Sequence, residues 1–343
     1  MRRRAIAYAL LSAALFGAST PLAKLLLGST SPLLLAGLLY LGAGIGLAAW
    51  LAARRAFKPI PRADWAWLGS AVVAGGIAGP ALLMLGLARS DAATASLLLN
   101  LEAVFTAVIA WVAFRENVDR QVFAGMVAIV AGGVILSFET IPTSESLKGQ
   151  ILISAACLAW ALDNNLTRRI SGGDAATLAC IKGLVAGAVN VGLALAQGAQ
   201  MPAPGFVATA GVVGLLGYGV SLALFIVALR DLGTARTAAY FSVAPFFGAA
   251  LALLLLAETP GYAFWIAAVL MALGVGLHIS ERHRHAHVHE PMAHDHEHVH
   301  DEHHYHEHPF PWDGKEPHAH AHRHDALAHT HPHHPDLHHR HRH

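Results

Sequence analysis

Ten runs of roughly twenty apolar residues, joined by short polar linkers, constrain this 343-residue chain more than any other feature. They lie at 5–27, 32–53, 64–88, 92–114, 119–138, 149–170, 174–197, 205–229, 233–257 and 260–280. Each is long enough to cross a hydrocarbon layer of about 30 Å, where a helix satisfies its own backbone polar groups. The composition agrees: 55% of residues are apolar and 13% charged, far from the balance of a soluble domain. The expected fold class is therefore all-α integral membrane, with ten transmembrane helices. The opening Met1-Arg2-Arg3-Arg4 has the start of a signal peptide, but its apolar run continues past Pro21 and Lys24 to Leu27, which reads as a retained first helix.

Charge divides the chain in two. Residues 1–280 carry 17 Lys and Arg against 11 Asp and Glu, whereas 281–343 carry 6 against 11. All 25 histidines fall at or after His278. Placing the N-terminus in the cytoplasm puts Arg2–Arg4, Arg54, Arg55, Lys58, Arg62, Arg115, Arg120, Arg168, Arg169, Arg230 and Arg236 inside, and leaves only Arg89 and Lys148 in outer loops. Both termini are thus expected in the cytoplasm, and the Ala/Leu/Gly-rich composition suggests a bacterial inner membrane.

Several classes drop out. Cys157 and Cys180 lie in apolar runs and form no CxxC motif. No GxxxxGK[ST] loop is present, which removes support for ATP-driven pumping. The polar region is acidic, the wrong sign for nucleic acid. No enzyme activity and no required cofactor are expected. The partners expected are the lipid bilayer, a small-molecule or metal-ion cargo and, left open, a second copy of the chain as a homodimer.

Shifting the chain by 142 residues lays Ser12-Ala13-Ala14 on Ser154-Ala155-Ala156, Gly69 on Gly211 and Gly75 on Gly217. The same shift lays Leu87 on Leu229, Phe105 on Phe247, Glu116 on Glu258 and Gly132 on Gly274. The domains expected are a five-helix repeat at 1–138, a linker at 139–148, a second five-helix repeat at 149–280 and a tail at 281–343. Five helices is an odd number, so the second repeat enters the membrane upside down. Inverted repeats are the architecture of secondary transporters, which alternate access around a site between the halves.

The chain resembles the ten-helix EamA-type branch of the drug/metabolite transporter superfamily over roughly 5–280. Ser12–Lys24, Asn100-Leu101-Glu102-Ala103-Val104-Phe105 running to Arg115-Glu116, and Ser242-Val243-Ala244-Pro245-Phe246-Phe247 running to Ala257-Glu258 carry the resemblance. The family's Glu-Pro-x-Phe pattern is split here: Glu102 is followed by Ala103, and Pro245 is preceded by Ala244. The resemblance implies an exporter of small metabolites, driven by an ion gradient or by the gradient of the solute.

Ionisable groups inside spans are costly, so each is a functional candidate. Glu102 is the expected protonatable or cargo-binding carboxylate, with Asn100 two residues before it. Lys182 either pairs Glu102 across the bundle, binds an anionic group of the cargo or snorkels to the surface. Asp163 and Asn164, in an Asp-Asn-Asn run, either line the cavity or end a helix; Asn190 and Thr20 complete the expected cargo-binding or coupling set. Pro21, Pro80 and Pro245 mark expected kinks or hinges. Gly42-Ala43-Gly44-Ile45-Gly46 and Gly183-x-x-x-Gly187 fit close helix packing.

The tail alternates His-x-His and has no apolar periodicity, so it is expected to be disordered without a ligand. Neutral imidazole binds Ni, Co, Zn and Cu ions. The candidate ligands are His283, His285, His287, His289, His294, His296, His298, His300, His303, His304, His306, His308, His318, His320, His322 and His324. Three readings follow. A secondary exporter has divalent transition metal as cargo, collected by the tail; the same fold exports a metabolite or drug while the tail only buffers metal; or the helices merely anchor a metal store or sensor.

Overall fold

The structure is a computed structural model describing residues 2–114, 120–137, 144–170, 174–232 and 240–279, together with strands at 283–289, 292–298, 318–324 and 327–333. Two units separate at residue 281: Met1–Glu281 is helical, and Arg282–His343 contains the strands.

The helical unit is built from α1 (Arg2–Leu27), α2 (Pro32–Ala53), α3 (Arg62–Leu87) and α4, which is broken into Ala92–Leu98 and Leu101–Phe114. Next come α5 (Arg120–Leu136), α6 (Ser144–Arg169), α7 (Ala175–Ala196) and α8, which begins as Pro204–Gly214 and ends as Ser221–Leu232. Two further helices, α9 (Ala244–Leu256) and α10 (Tyr262–Ile279), complete it. Six helices are long and apolar enough to cross a membrane among the described residues, and α5, α9 and α10 are shorter apolar ones. At 26 residues α6 is also long enough, but Asp163-Asn164-Asn165 makes it less apolar. Large apolar side chains such as Val73, Val112, Leu254, Trp265 and Leu273 remain exposed, as a surface solvated by lipid requires.

The packing repeats with the sequence. Helix α2 packs on α7, and α5 on α10. Helix α1 packs on α8 and α9, while α6 packs on α3 and α4; α2 meets α8 as α7 meets α3. Exchanging each helix for the one five places along leaves this set of pairs unchanged. The glycine runs make the α2–α7 contact possible: a Cβ on Gly183 would lie 2.8 Å from the Gly44 Cα. On α1 and α9, a Cβ at Gly248 would lie 2.7 Å from the Gly17 carbonyl oxygen.

Both halves interrupt their third helix with a π turn, Val72–Ala78 in α3 and Leu215–Val220 in α8. The 142-residue shift lays the first on 214–220. Pro80 follows the first π turn, Pro245 lies in the first turn of α9, and Pro21 sits inside an unbroken α1.

The tail unit differs from the expectation of a segment without regular structure. Its backbone forms β1 (His283–His289), β2 (Met292–His298), β3 (His318–His324) and β4 (Leu327–His333). Strand β1 pairs antiparallel with β4, and β2 with β3. A His-x-His alternation has period two, which is also the period of a strand.

Candidate functional site

A π turn takes carbonyls out of the regular i→i+4 ladder. Here three neighbouring helices supply donors to them. Tyr40 Oη on α2 donates to the Gly75 carbonyl at 3.1 Å, and Trp160 Nε1 on α6 donates to the same oxygen at 2.9 Å. Asn190 Nδ2 on α7 donates to the Ile77 carbonyl at 3.3 Å. Asn190 is fully buried; its Nδ2 is committed to the helix backbone, and its Oδ1 has no hydrogen-bond partner among the described residues.

Gly75 also makes room for a charge. A Cβ there would collide with the Asp163 carboxylate, so only glycine lets α3 approach α6 at this level. Both oxygens of Asp163 accept from Lys182 Nζ at 2.6 Å, and Oδ1 accepts from Thr167 Oγ1 at 2.8 Å. Lys182 therefore pairs with Asp163. The alternative pairing with Glu102 is not what forms. Asp163 lies six residues before the end of α6, and Lys182 lies seven after the start of α7. In consecutive helices of opposite direction, each rising about 1.5 Å per residue, that places them at one height.

Glu102 sits on α4 immediately after the helix break. The break is tightened by Asn100 N donating to the Leu97 carbonyl at 3.1 Å and by Glu102 N donating to that of Leu99 at 3.1 Å. Asn100 is buried, and its Nδ2 returns to the Leu97 carbonyl at 3.0 Å, so it supports the break. Glu102 Oε1 accepts from Asn164 Nδ2 at 2.8 Å, with Thr106 Oγ1 at 3.4 Å from the same nitrogen. Among the described residues no cation lies within ion-pair distance of Glu102. Asn164 is exposed, as are Leu158 and Leu162 on the same helix. At 100° per residue, however, Asn164 lies about 160° round α6 from Leu162, on the side of Trp160 and Thr167. Leu158 and Leu162 face outward, and Asn164, with the Glu102 it bonds, lies on the other side of α6.

A second polar cluster lies at the other end of α4. Ala257 takes a left-handed conformation (φ 51°, ψ 33°) and turns the chain at the end of α9. Glu258 then reaches the start of α4, where its Oε1 accepts from Ala92 N and its Oε2 from Ala93 N, each at 2.8 Å. Lys24 Nζ, from α1, donates to the carbonyls of Leu87 at 2.7 Å and Ser90 at 2.8 Å. Two charged groups thus strap the α3–α4 connection to α1 and α9. Thr20, one turn before Lys24, is buried. In the sequence Glu258 stands out as half of a repeat match and as the end of the second run that resembles the family, with no role attached. Its one signal was position: a carboxylate directly after a helix end.

The structure thus joins Asp163 to Lys182 and Asn164 to Glu102, and sets Asn100, Asn190 and Thr20 apart as packed groups. Among the described residues of the helical unit, no three His, Cys, Asp or Glu side chains gather as a metal site. Of the candidate metal ligands, His300, His303, His304, His306 and His308 lie outside the described residues.

The model of the EamA-like transporter family matches residues 3–138 and again 147–280. An uncharacterized transporter of Methanothermobacter thermautotrophicus is 29% identical over 279 residues, covering 76% of this chain and 81% of that protein. A solved structure titled only as the crystal structure of a protein superposes with a TM-score of 0.63 at 18% identity, over 82% of this chain and 99% of its own. That likeness concerns the fold.

Proposed function

Because the chain belongs to the EamA-like transporter family, we propose that it works as a secondary-active exporter, alternating access between its two five-helix halves, with Glu102 as the group that binds and releases a proton or cationic cargo. That it is a multi-pass membrane transporter, and no enzyme, follows from the family itself. Ten crossings, both termini in the cytoplasm and a bacterial inner membrane belong to the proposal, supported by the Lys and Arg content of the loops.

One observation carries the mechanism. Among the described residues, Asp163 is neutralised by Lys182, whereas Glu102 accepts from the Asn164 amide and has no cation within ion-pair distance. An uncompensated carboxylate in a low-dielectric interior exchanges protons or cations readily, because the charged state lacks a partner. The strap of Lys24 and Glu258 ties the α3–α4 connection to α1 and α9 at the end read as outer, and alternating access requires it to release.

The cargo this site supports best is a small organic solute, since Glu102, Asn164 and Thr106 make a poor first shell for a bare divalent ion. Divalent transition metal (Ni, Co or Zn) is the second reading, favoured by the histidines of the tail. A metal store anchored by its helices is least supported, because anchoring needs a single helix.

The test compares cells carrying an empty vector, the full chain, a truncation after Ser280 and Glu102→Gln. Cell-associated Ni, Co and Zn and solutes released to the medium are measured. The full chain is expected to raise one released solute, and Glu102→Gln to return it to background at equal membrane abundance. Unchanged flux in Glu102→Gln removes Glu102 from the mechanism. A fall in cell metal that Glu102→Gln abolishes selects the second reading.

A further inference from the structure

The register of the tail strands sorts its histidines. In the first ladder, His283 stands opposite His333, His285 opposite His331 and His287 opposite His329. In the second, His294 stands opposite His322, His296 opposite His320 and His298 opposite His318. Residues directly opposite in an antiparallel pair share a face, and so do residues two apart. Each ladder therefore has one face holding three cross-strand histidine pairs. The intervening positions pair Arg284 with Pro332, Ala286 with Thr330 and Val288 with Ala328 in one ladder, and Ala293 with Arg323, Asp295 with Ala321 and Glu297 with Ala319 in the other. No histidine falls on those faces.

We propose that the histidine face of each ladder is a binding site for divalent transition-metal ions, the juxtaposition being three opposed His pairs set by the β1–β4 and β2–β3 registers. Opposed positions in such a ladder have Cβ atoms about 4.5–5.5 Å apart, and positions two along a strand are about 6.8 Å apart. Two imidazoles with metal–nitrogen bonds of about 2.0–2.1 Å span the shorter separation, and four can serve one tetrahedral ion. A slip of one residue would oppose histidine to Arg, Ala, Pro or Thr, so register and chelation specify each other. An isolated two-stranded ladder is marginal in water. Metal bridging the strands couples binding to pairing, and because only neutral imidazole binds, both are lost as pH falls below about 6. This site stands whichever cargo the bundle carries.

The experiment uses the full chain in detergent near neutral pH, with Zn2+ or Ni2+ as probe. Retained metal is counted after desalting, and affinity is read by competition with a chromophoric chelator. Three double variants are compared: His285→Gln with His331→Gln, His296→Gln with His320→Gln, and His338→Gln with His339→Gln, the last pair lying outside the strands. Each ladder variant is expected to weaken one class of sites by at least about tenfold and to leave the other class intact. The third variant is expected to change little. Equal losses in all three overturn the ladder sites in favour of undirected chelation, and a full chain that retains no more metal than the truncation after Ser280 overturns metal binding altogether. Either failure is separable from transport, which is read through Glu102.

Discussion

The π turns of α3 and α8 are the same backbone device in two chemical settings. The one in α3 receives Tyr40, Trp160 and Asn190 and faces the Asp163–Lys182 pair. The one in α8 faces Ser19 at Gly217, and its Tyr218 ring packs on Phe16 and Tyr40 with centroids 5.8 and 5.3 Å away. The 142-residue shift puts Pro21 in the place of Asp163, Tyr40 in that of Lys182, Leu22 in that of Asn164 and Ala244 in that of Glu102. The repeat sets the fold, and the polar chemistry sits where the repeat is broken. Alternating access needs the halves to be alike in shape; binding needs them to differ in charge.

The sharpest way to break this comparison is at the buried pair. Lys182→Met leaves the Asp163 carboxylate without its cation, and Asp163→Asn leaves the ammonium bare; each is expected to cost about 3–5 kcal/mol of stability. The double variant should recover more than half of that, because the uncompensated charge is gone. Thermal melting of the four proteins in one detergent closes the cycle. If the single variants melt like the parent, the pair is no structural keystone and Asp163 is free to serve the cargo.

The next test sets the two glycines against each other. Gly75→Ala drives a methyl into a carboxylate held at both oxygens, and Gly217→Ala drives one to 2.6 Å from the Ser19 Cβ. Overpacking of this kind costs about 1–3 kcal/mol at either place. Transport should separate them: Gly75→Ala disturbs the pair beside Glu102 and is expected to lower flux severalfold, while Gly217→Ala lowers it no more than its loss of folded protein. Equal loss of specific flux would mean that the two π turns share the mechanical role and that the asymmetry of charge is incidental.

Smaller effects are expected at the strap. Replacing Glu258 by Gln leaves one acceptor oxygen for two backbone donors and is expected to cost about 1 kcal/mol, as loss of a helix cap does. Ala257→Gly removes the left-handed strain at the same corner and is expected to gain about 1 kcal/mol. Opposite shifts of the melting temperature from neighbouring residues would verify that Ala257 is strained in order to aim Glu258.

Much of this was legible in the sequence for a physical reason: lipid imposes span length, and a repeat with one uninterrupted offset imposes pairing of its helices. The apolar runs and the close glycine contact of α2 with α7 could be read from residues near one another in the chain. What could not be read depends on how helices cross. The two Gly-rich stretches at 75–76 and 217–219 gave no sign that their hydrogen bonds shift to i→i+5; in α3 the freed carbonyls are met by donors from three other helices, which the sequence does not bring together. The partner of Lys182 turned on relative height, and Asn190 proved to serve a carbonyl that a regular helix would never have offered. In the tail the His-x-His alternation has two meanings, ligand spacing and strand periodicity, and the polar composition points only to the first.

The smallest expected effect concerns the two basic residues that break the charge asymmetry of the loops. Arg89 and Lys148 both contact Glu145, at 3.3 and 2.7 Å, on the opposite side of the helical unit from the Arg-rich loops. The Lys148 hydrogen bond, with Arg89 in support, holds the Glu145 carboxyl below its ordinary pKa. A lowered carboxylate pKa contributes stability above the unfolded value, and that contribution is lost as pH falls through the folded one. All three side chains are well exposed to water, so the contribution is screened. Glu145→Gln is therefore expected to shift melting by less than about 1 °C, at neutral pH and at pH 4 alike. Topology is expected to hold as well: a cysteine-accessibility assay around Arg89 and Lys148 should report the sidedness of the parent, because the positive-inside rule counts Lys and Arg and acidic residues contribute little. An inverted fraction would show instead that Glu145 masks the two cations during insertion. Asp163 with Lys182 and Glu145 with its two partners are both carboxylate–cation pairs, but burial makes the first a matter of folding energy, whereas exposure leaves the second nearly without effect.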